Sequence, residues 1–61
     1  MIKEIIKYFG SRSAMAEALG VSRQAIAQFE AQGYLPAGRA IEVEEISGGK
    51  YKARNLITKQ A

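Results

Sequence analysis

The fold is decided by the stretch RSAMAEALGVSRQAIAQFEA, residues 12–31, in which two helical patterns meet at one glycine. The first pattern opens at Ser11 or Arg12 and is rich in Ala, Met, Glu and Leu, which are strong helix formers. Its expected apolar stripe consists of Met15, Ala18 and Leu19.

A tight turn is predicted between the two patterns, because only Val21 separates Gly20 from Ser22. Glycine adopts the left-handed backbone conformation without steric cost. A serine hydroxyl caps a helix by accepting a hydrogen bond from an orphan backbone N–H. A second helix is therefore expected from Arg23 to about Ala31, before the stop at Gln32-Gly33.

The apolar positions of this stretch match a helix-turn-helix, which joins two steeply crossed helices by a short turn that often contains Gly. Ala16 would lie where the helices come closest, since a larger side chain would push them apart, and Val21 would fill the angle between them. Four larger side chains are expected to face the core: Met15, Leu19, Ile26 and Phe29. Taken singly, each feature also fits a helical hairpin with another purpose.

The outward face of the second helix carries residues suited to base recognition. Arg can bond both major-groove acceptors of guanine, and Gln can pair with the donor and acceptor edge of adenine. Ala27 is small enough for close approach, and its methyl group can contact a thymine methyl. The candidate base-reading residues are Arg23, Gln24, Ala27 and Gln28, with Glu30 also outward.

The flanking segments predict an all-α fold of about five helices. Apolar residues at helical spacing before Gly10 indicate a helix over residues 2–9, and Pro36 indicates another that ends at Gly48-Gly49. A short fifth helix is expected around residues 53–57. The alternative is an α+β fold with a C-terminal hairpin turning at Gly48-Gly49, because apolar Ile41 and Val43 alternate with glutamates. Three glutamates and the Pro36 start favour the helix.

Length and composition point to one domain spanning residues 1–61 with a formal net charge of +3. All six acids are Glu and none follows Glu45, whereas the end of the chain carries Lys50, Lys52, Arg54 and Lys59. An unopposed basic end fits a polyanionic partner or a solubilising tail. A small core makes association with a second copy plausible.

Several kinds of function are excluded by residue types. There is no His, Asp or Cys, which removes the usual catalytic triads and zinc sites and predicts a non-enzyme without metal or cofactor. Glu42 and Glu45 are three residues apart and are expected to share a solvated acidic face, with Glu44 pointing elsewhere on the same helix. No stretch approaches the roughly 20 apolar residues that span a bilayer, and the start lacks a signal-peptide cleavage site, so a cytoplasmic location is expected.

The segment YFGSRSAMAEALGVSRQAIAQFE, residues 8–30, resembles the Cro proteins of lambdoid phages and related prophage regulators. The resemblance is close over residues 2 to about 31 and looser through LPAGRAIEVEEISGGKYKARNL, residues 35–56. That family contains an all-α form and a form with a C-terminal β-hairpin, so both alternatives persist. The long spacer AQGYLPAGRA favours the helical form.

The resemblance implies a repressor that binds a near-palindromic operator in double-stranded DNA as a homodimer, which could be weak, with no small-molecule effector. Residues at the two helix N-termini become candidate phosphate contacts: Ser11, Arg12, Ser13 and Ser22. Ala27 departs from the family pattern, because a polar residue that contacts the bases often occupies that position. The operator sequence therefore cannot be transferred from a relative.

Two other functions are compatible with the sequence. One is an antitoxin-like prophage regulator with a protein partner, which requires a second exposed apolar surface around Tyr34, Leu35 and Tyr51. The other is a small helical interaction module without DNA binding, in which Arg23→Ala and Gln24→Ala would leave activity unchanged.

Overall fold

A computed structural model describes residues 2–58, which form an all-α fold, as the sequence predicted. The helices are α1 (Ile2–Phe9), α2 (Arg12–Leu19), α3 (Arg23–Gln32), α4 (Ala37–Ile46) and α5 (Ala53–Leu56). Within this part of the chain there is no strand, and the alternative with a C-terminal hairpin is wrong. Lys59, part of the predicted basic end, lies outside the described residues.

The region that resembled a strand is a helix because its buried residues follow the helical repeat. Ala40 and Val43, three residues apart, are buried on the inner side of α4. A strand would have buried Ile41 with Val43, whereas Ile41 is exposed. The helix then stops at Gly48-Gly49, where both residues have positive φ and their N–H groups donate to carbonyls of the last turn.

The core lies between the helix-turn-helix and the C-terminal helices, since α2 packs against α1, α3 and α4, and α5 packs on α4. The four large side chains expected in this core are buried, together with Ala16. Ala18 is an exception to the prediction, because it is exposed. The inner stripe of α2 is formed by Met15, Ala16 and Leu19, which leaves Ala18 on the outer side.

Gly20 ends α2 in a left-handed conformation, with φ 69° and ψ 33°. Its N–H donates to the carbonyl of Glu17, and the N–H of Val21 donates to that of Ala16 at 2.9 Å. These two bonds form a Schellman motif, which satisfies carbonyls that the end of a helix would otherwise leave unpaired. The expected turn is therefore present, and Val21 packs partly buried against the core.

Two polar side chains join the C-terminal half to the rest of the fold. Arg39 donates through Nη1 to the Leu19 carbonyl at 2.7 Å, placing a cation at the C-terminal end of α2, where the helix dipole favours it. Glu44 accepts from the backbone N–H of Ala53 at 2.7 Å and thereby caps α5. Glu44, which was expected to point away from Glu42 and Glu45, is partly buried because α5 folds back against this side of α4.

We predict opposite effects on stability for two glycine-to-alanine substitutions. Gly20→Ala is expected to destabilise the protein by about 1–2 kcal/mol, because alanine is strained in the left-handed region. The matched control is Gly38→Ala within α4, expected to stabilise it by about 0.5–1 kcal/mol. An added Cβ meets no heavy atom within 4 Å at either position, so backbone conformation alone separates them. Urea unfolding measures both, and a stabilising Gly20→Ala would contradict the turn geometry.

Candidate nucleic-acid interface

The two helices of the motif begin with the same capping arrangement. The Ser11 hydroxyl accepts from the Ala14 N–H at 3.1 Å, and the Ser22 hydroxyl accepts from the Ala25 N–H at 3.1 Å. Each cap satisfies one N–H, whereas other N–H groups of the first turn have no partner within the helix. Both helices thus present the positive end of the helix dipole, together with a serine hydroxyl that retains its own hydrogen to donate.

One open groove runs between these helix N-termini and gathers most of the predicted site. Its lining consists of Ser11, Arg12, Ser13, Ser22, Arg23, Gln24 and Ala27. The structure therefore brings together all the sequence-predicted site residues except Gln28. Gln28 is exposed on α3 but does not line the groove.

The outer face of α3 is open to solvent. Arg23, Gln24, Ala27 and Gln28 are all exposed, while the buried residues of this helix are Ile26 and Phe29. The three polar side chains form no hydrogen bond or ion pair with residues 2–58, so their donors and acceptors are available to a ligand. The C-terminal helices do not cover this surface.

Arg12 has a partner that the sequence analysis missed. Its Nε and Nη2 both donate to Oε1 of Glu30, at 2.9 and 2.7 Å. The Arg12 side chain is 54% exposed and that of Glu30 only 18%, so the expectation of an outward Glu30 is wrong. The residues are 18 positions apart and meet only because α2 and α3 cross, and no local sequence pattern signals the pair.

The three tyrosines lie away from the groove lining. Tyr8 and Tyr51 meet edge to face at 5.6 Å between ring centroids, and the Lys50 ammonium lies 5.4 and 5.6 Å from the centroids of these rings. This contact joins α1 to the segment before α5. Tyr34 is partly exposed, but Leu35 is buried, because its N–H bonds to the Leu56 carbonyl and its side chain enters the core. Leu35 therefore cannot be part of an exposed apolar surface in this fold.

Residues 2–58 hold neither a candidate metal site nor a membrane-spanning helix. No group of three or more His, Cys, Asp or Glu side chains is arranged to hold a metal ion. None of the helices has the length and apolar character needed to cross a membrane.

A glycine turn between two short helices, with an uncovered polar face on the second, defines a helix-turn-helix domain, a class of DNA-binding protein. The family described as the DNA-binding transcriptional regulator Cro matches residues 2–61. The solved structure of the Cro protein from the prophage element Xfaso 1 in Xylella fastidiosa strain Ann-1 is 40% identical, with a TM-score of 0.82, over 90% of this chain and 85% of that chain. No curated protein is a significant match.

The chain belongs to the Cro family of DNA-binding transcriptional regulators. This confirms the resemblance found in the sequence and the helical form of its C-terminal half. The family is one of regulators and not of enzymes.

We predict that Ser22 contributes to stability as a helix cap. Ser22→Ala should destabilise the protein by about 1 kcal/mol, because the Ala25 N–H loses its acceptor. Ser22→Asp should keep most of the stability, since aspartate caps well and favours the positive end of the dipole. Thermal unfolding of the DNA-free variants tests this, and equal losses for Ala and Asp would contradict the capping role.

Proposed function

We propose that the chain is a transcriptional repressor that binds a near-palindromic operator as a dimer and reads the major groove with α3. The observation that carries this proposal is the exposed face of α3, whose polar side chains have no partner among residues 2–58. Helices in this arrangement enter the major groove by their N-terminal residues. Repression would be steric, because a bound dimer blocks polymerase at an overlapping promoter.

The chemistry of the α3 face suggests a role for each residue. Arg23 would donate to N7 and O6 of guanine, and Gln24 and Gln28 would pair with adenine. Ala27, which lines the groove, lets the helix approach closely and offers a methyl group to thymine. Together these four residues would read a short half-site.

The capped helix N-termini would hold the DNA backbone. Ser11 and Ser22 accept from backbone N–H groups with their oxygen lone pairs, so each can still donate its hydroxyl hydrogen to a phosphate. Arg12 and Ser13 lie in the same groove lining and would add contacts to the backbone. Such contacts fix register and orientation, whereas the base contacts give specificity.

A dimer contact is proposed in the C-terminal half. Three isoleucines there are strongly exposed: Ile41 at 52%, Ile46 at 46% and Ile57 at 48%. None of them lines the groove, so a second copy could cover them without blocking the DNA surface. Two copies would place their α3 helices about 34 Å apart, which is the general spacing of helix-turn-helix dimers on B-DNA.

Selection of bound sequences from a random duplex pool tests the proposal. We expect enrichment of one motif with two inverted half-sites whose centres are separated by about one helical turn. A helical interaction module without DNA binding would enrich no sequence. An antitoxin-like regulator would also enrich its own operator, and it would additionally require a protein partner.

We predict that Arg23→Ala weakens binding to the selected duplex by about 1–3 kcal/mol and relaxes the preference at one base pair of each half-site. The reason is the loss of a two-bond contact to guanine. The matched control is Lys3→Ala, which removes an exposed cation from α1 outside the groove and should leave base preference unchanged. Fluorescence anisotropy against a set of single-base variants measures both. An unchanged base preference in Arg23→Ala would contradict its reading role.

We predict that Ile41→Glu and Ile46→Glu each raise the dimer Kd about tenfold or more, because a carboxylate would have to be buried against the partner. Ala18→Glu, which changes an exposed apolar residue of α2 in the same way, is the control. Sedimentation equilibrium without DNA gives the Kd. If dimerisation is unaffected by both isoleucine variants, the contact lies elsewhere.

A further inference from the structure

In the Arg12–Glu30 ion pair, Glu30 has less contact with solvent than Arg12 and therefore depends more on its partner. Glu30 is mostly buried, and among residues 2–58 Arg12 supplies both hydrogen bonds that its carboxylate accepts. If Arg12 left for another anion, this partly buried carboxylate would lose both hydrogen bonds, which is unfavourable. A simple exchange of Glu30 for a DNA phosphate is therefore disfavoured.

Arg12 can bind a second anion without leaving Glu30. A guanidinium carries five N–H donors, and Glu30 occupies only the edge formed by Nε and Nη2. One hydrogen of Nη1 and the second hydrogen of Nη2 form another edge with a similar spacing, which suits two phosphate oxygens. The Arg12 side chain remains about half exposed and lines the groove between the helix N-termini.

We propose that Glu30 is a positioning residue for DNA binding, holding Arg12 so that its free edge binds a phosphate while the ion pair stays intact. This inference rests on the proposed function. A long arginine side chain loses considerable rotamer freedom when it is fixed. The ion pair fixes the Arg12 side chain before DNA binds, so binding costs less conformational entropy.

The ion pair also links the two parts of the interface. Arg12 is the first residue of α2, whereas Glu30 lies in the last turn of α3. A phosphate held by Arg12 is thereby connected, through Glu30, to the helix that would read the bases. The position of the DNA phosphate bound by Arg12 would then be coupled to the depth of α3 in the major groove.

A different role for Glu30 makes the opposite prediction. As a mere negative charge near DNA, Glu30 would repel phosphates, and its removal would strengthen binding whether or not Arg12 is present. As a positioning residue, its removal weakens binding only when Arg12 is there to be positioned. The two roles are therefore distinguished by whether removal of Glu30 weakens or strengthens DNA binding, and by whether that change requires Arg12.

The experiment is a double-mutant cycle in DNA affinity, using wild type, Arg12→Ala, Glu30→Ala and the double variant on the selected duplex. We expect Glu30→Ala to weaken binding about fivefold in the presence of Arg12 and to leave it equal or slightly stronger in the Arg12→Ala background. Arg12→Ala should weaken binding to all sequences and reduce the slope of log K against log salt by about 0.9. Glu30→Gln, whose amide oxygen can still accept from Arg12, should retain more affinity than Glu30→Ala.

Two controls keep a folding defect apart from a binding defect. Affinities are measured at a temperature where circular dichroism shows each variant folded, and Glu30→Gln replaces Glu30→Ala in the cycle if the alanine variant does not fold. Glu42→Ala removes the carboxylate of another Arg–Glu pair, with Arg39 at 2.8 Å on α4, and should not weaken DNA binding.

The proposal is overturned if Glu30→Ala changes affinity by the same factor, within about twofold, in both backgrounds. It is also overturned by a gain of affinity that requires Arg12, since Glu30 would then compete with DNA. If wild type enriches no sequence at all, the proposed function fails as well. If wild type binds its selected duplex and Arg23→Ala relaxes specificity, the proposed function stands. The absence of energetic coupling between Arg12 and Glu30 would then contradict only the positioning role of Glu30.

Discussion

Between the end of α2 at Leu19 and the cap of α3 at Ser22, the chain has two residues in which to change direction. The left-handed backbone of Gly20 makes that change possible, and the bonds from Gly20 and Val21 to the last turn of α2 hold it. The buried methyl group of Ala16 is the small side chain expected where the helices come closest. If the helix continued through Gly20, the groove between the two N-termini would not exist.

The same local features that build the motif also prepare it for an anion. Serine at both N-caps ends the preceding turn and leaves a hydroxyl hydrogen beside unpaired N–H groups. The formal net charge of the chain is only +3, so its overall electrostatic field is weak. We propose that attraction to DNA comes from local geometry, because two helix N-termini and two arginines line one groove.

The sequence was most informative where local chemistry determines the structure. Helix propensity, serine caps and glycine stops were enough to predict the extents of α1, α2 and α3 and the exposure of the α3 face. Ile41 and Val43 were ambiguous because four alternating residues fit a strand as well as a helix. The ambiguity is resolved in the fold by contacts that are distant in sequence, with Ala40 and Val43 facing the core.

The features that sequence reasoning missed all depend on where helices cross. Glu30 meets Arg12, Glu44 caps α5 and Arg39 reaches the end of α2 only after the tertiary fold has formed. Each of these charged residues fits an ordinary helix surface when it is considered alone. The exposure of Ala18, which the helical pattern had placed in the apolar stripe, follows likewise from the direction in which α2 faces its neighbours.

Methylation interference on the selected duplex is the sharpest test of the proposal that α3 reads DNA from the major groove. Methylation of guanine N7 alters the major groove, whereas methylation of adenine N3 alters the minor groove. We expect N7 methylation at guanines within each half-site to prevent binding and N3 methylation of adenines there to have little effect. Interference confined to adenine N3 would place the protein in the minor groove and rule out reading of the major groove by α3.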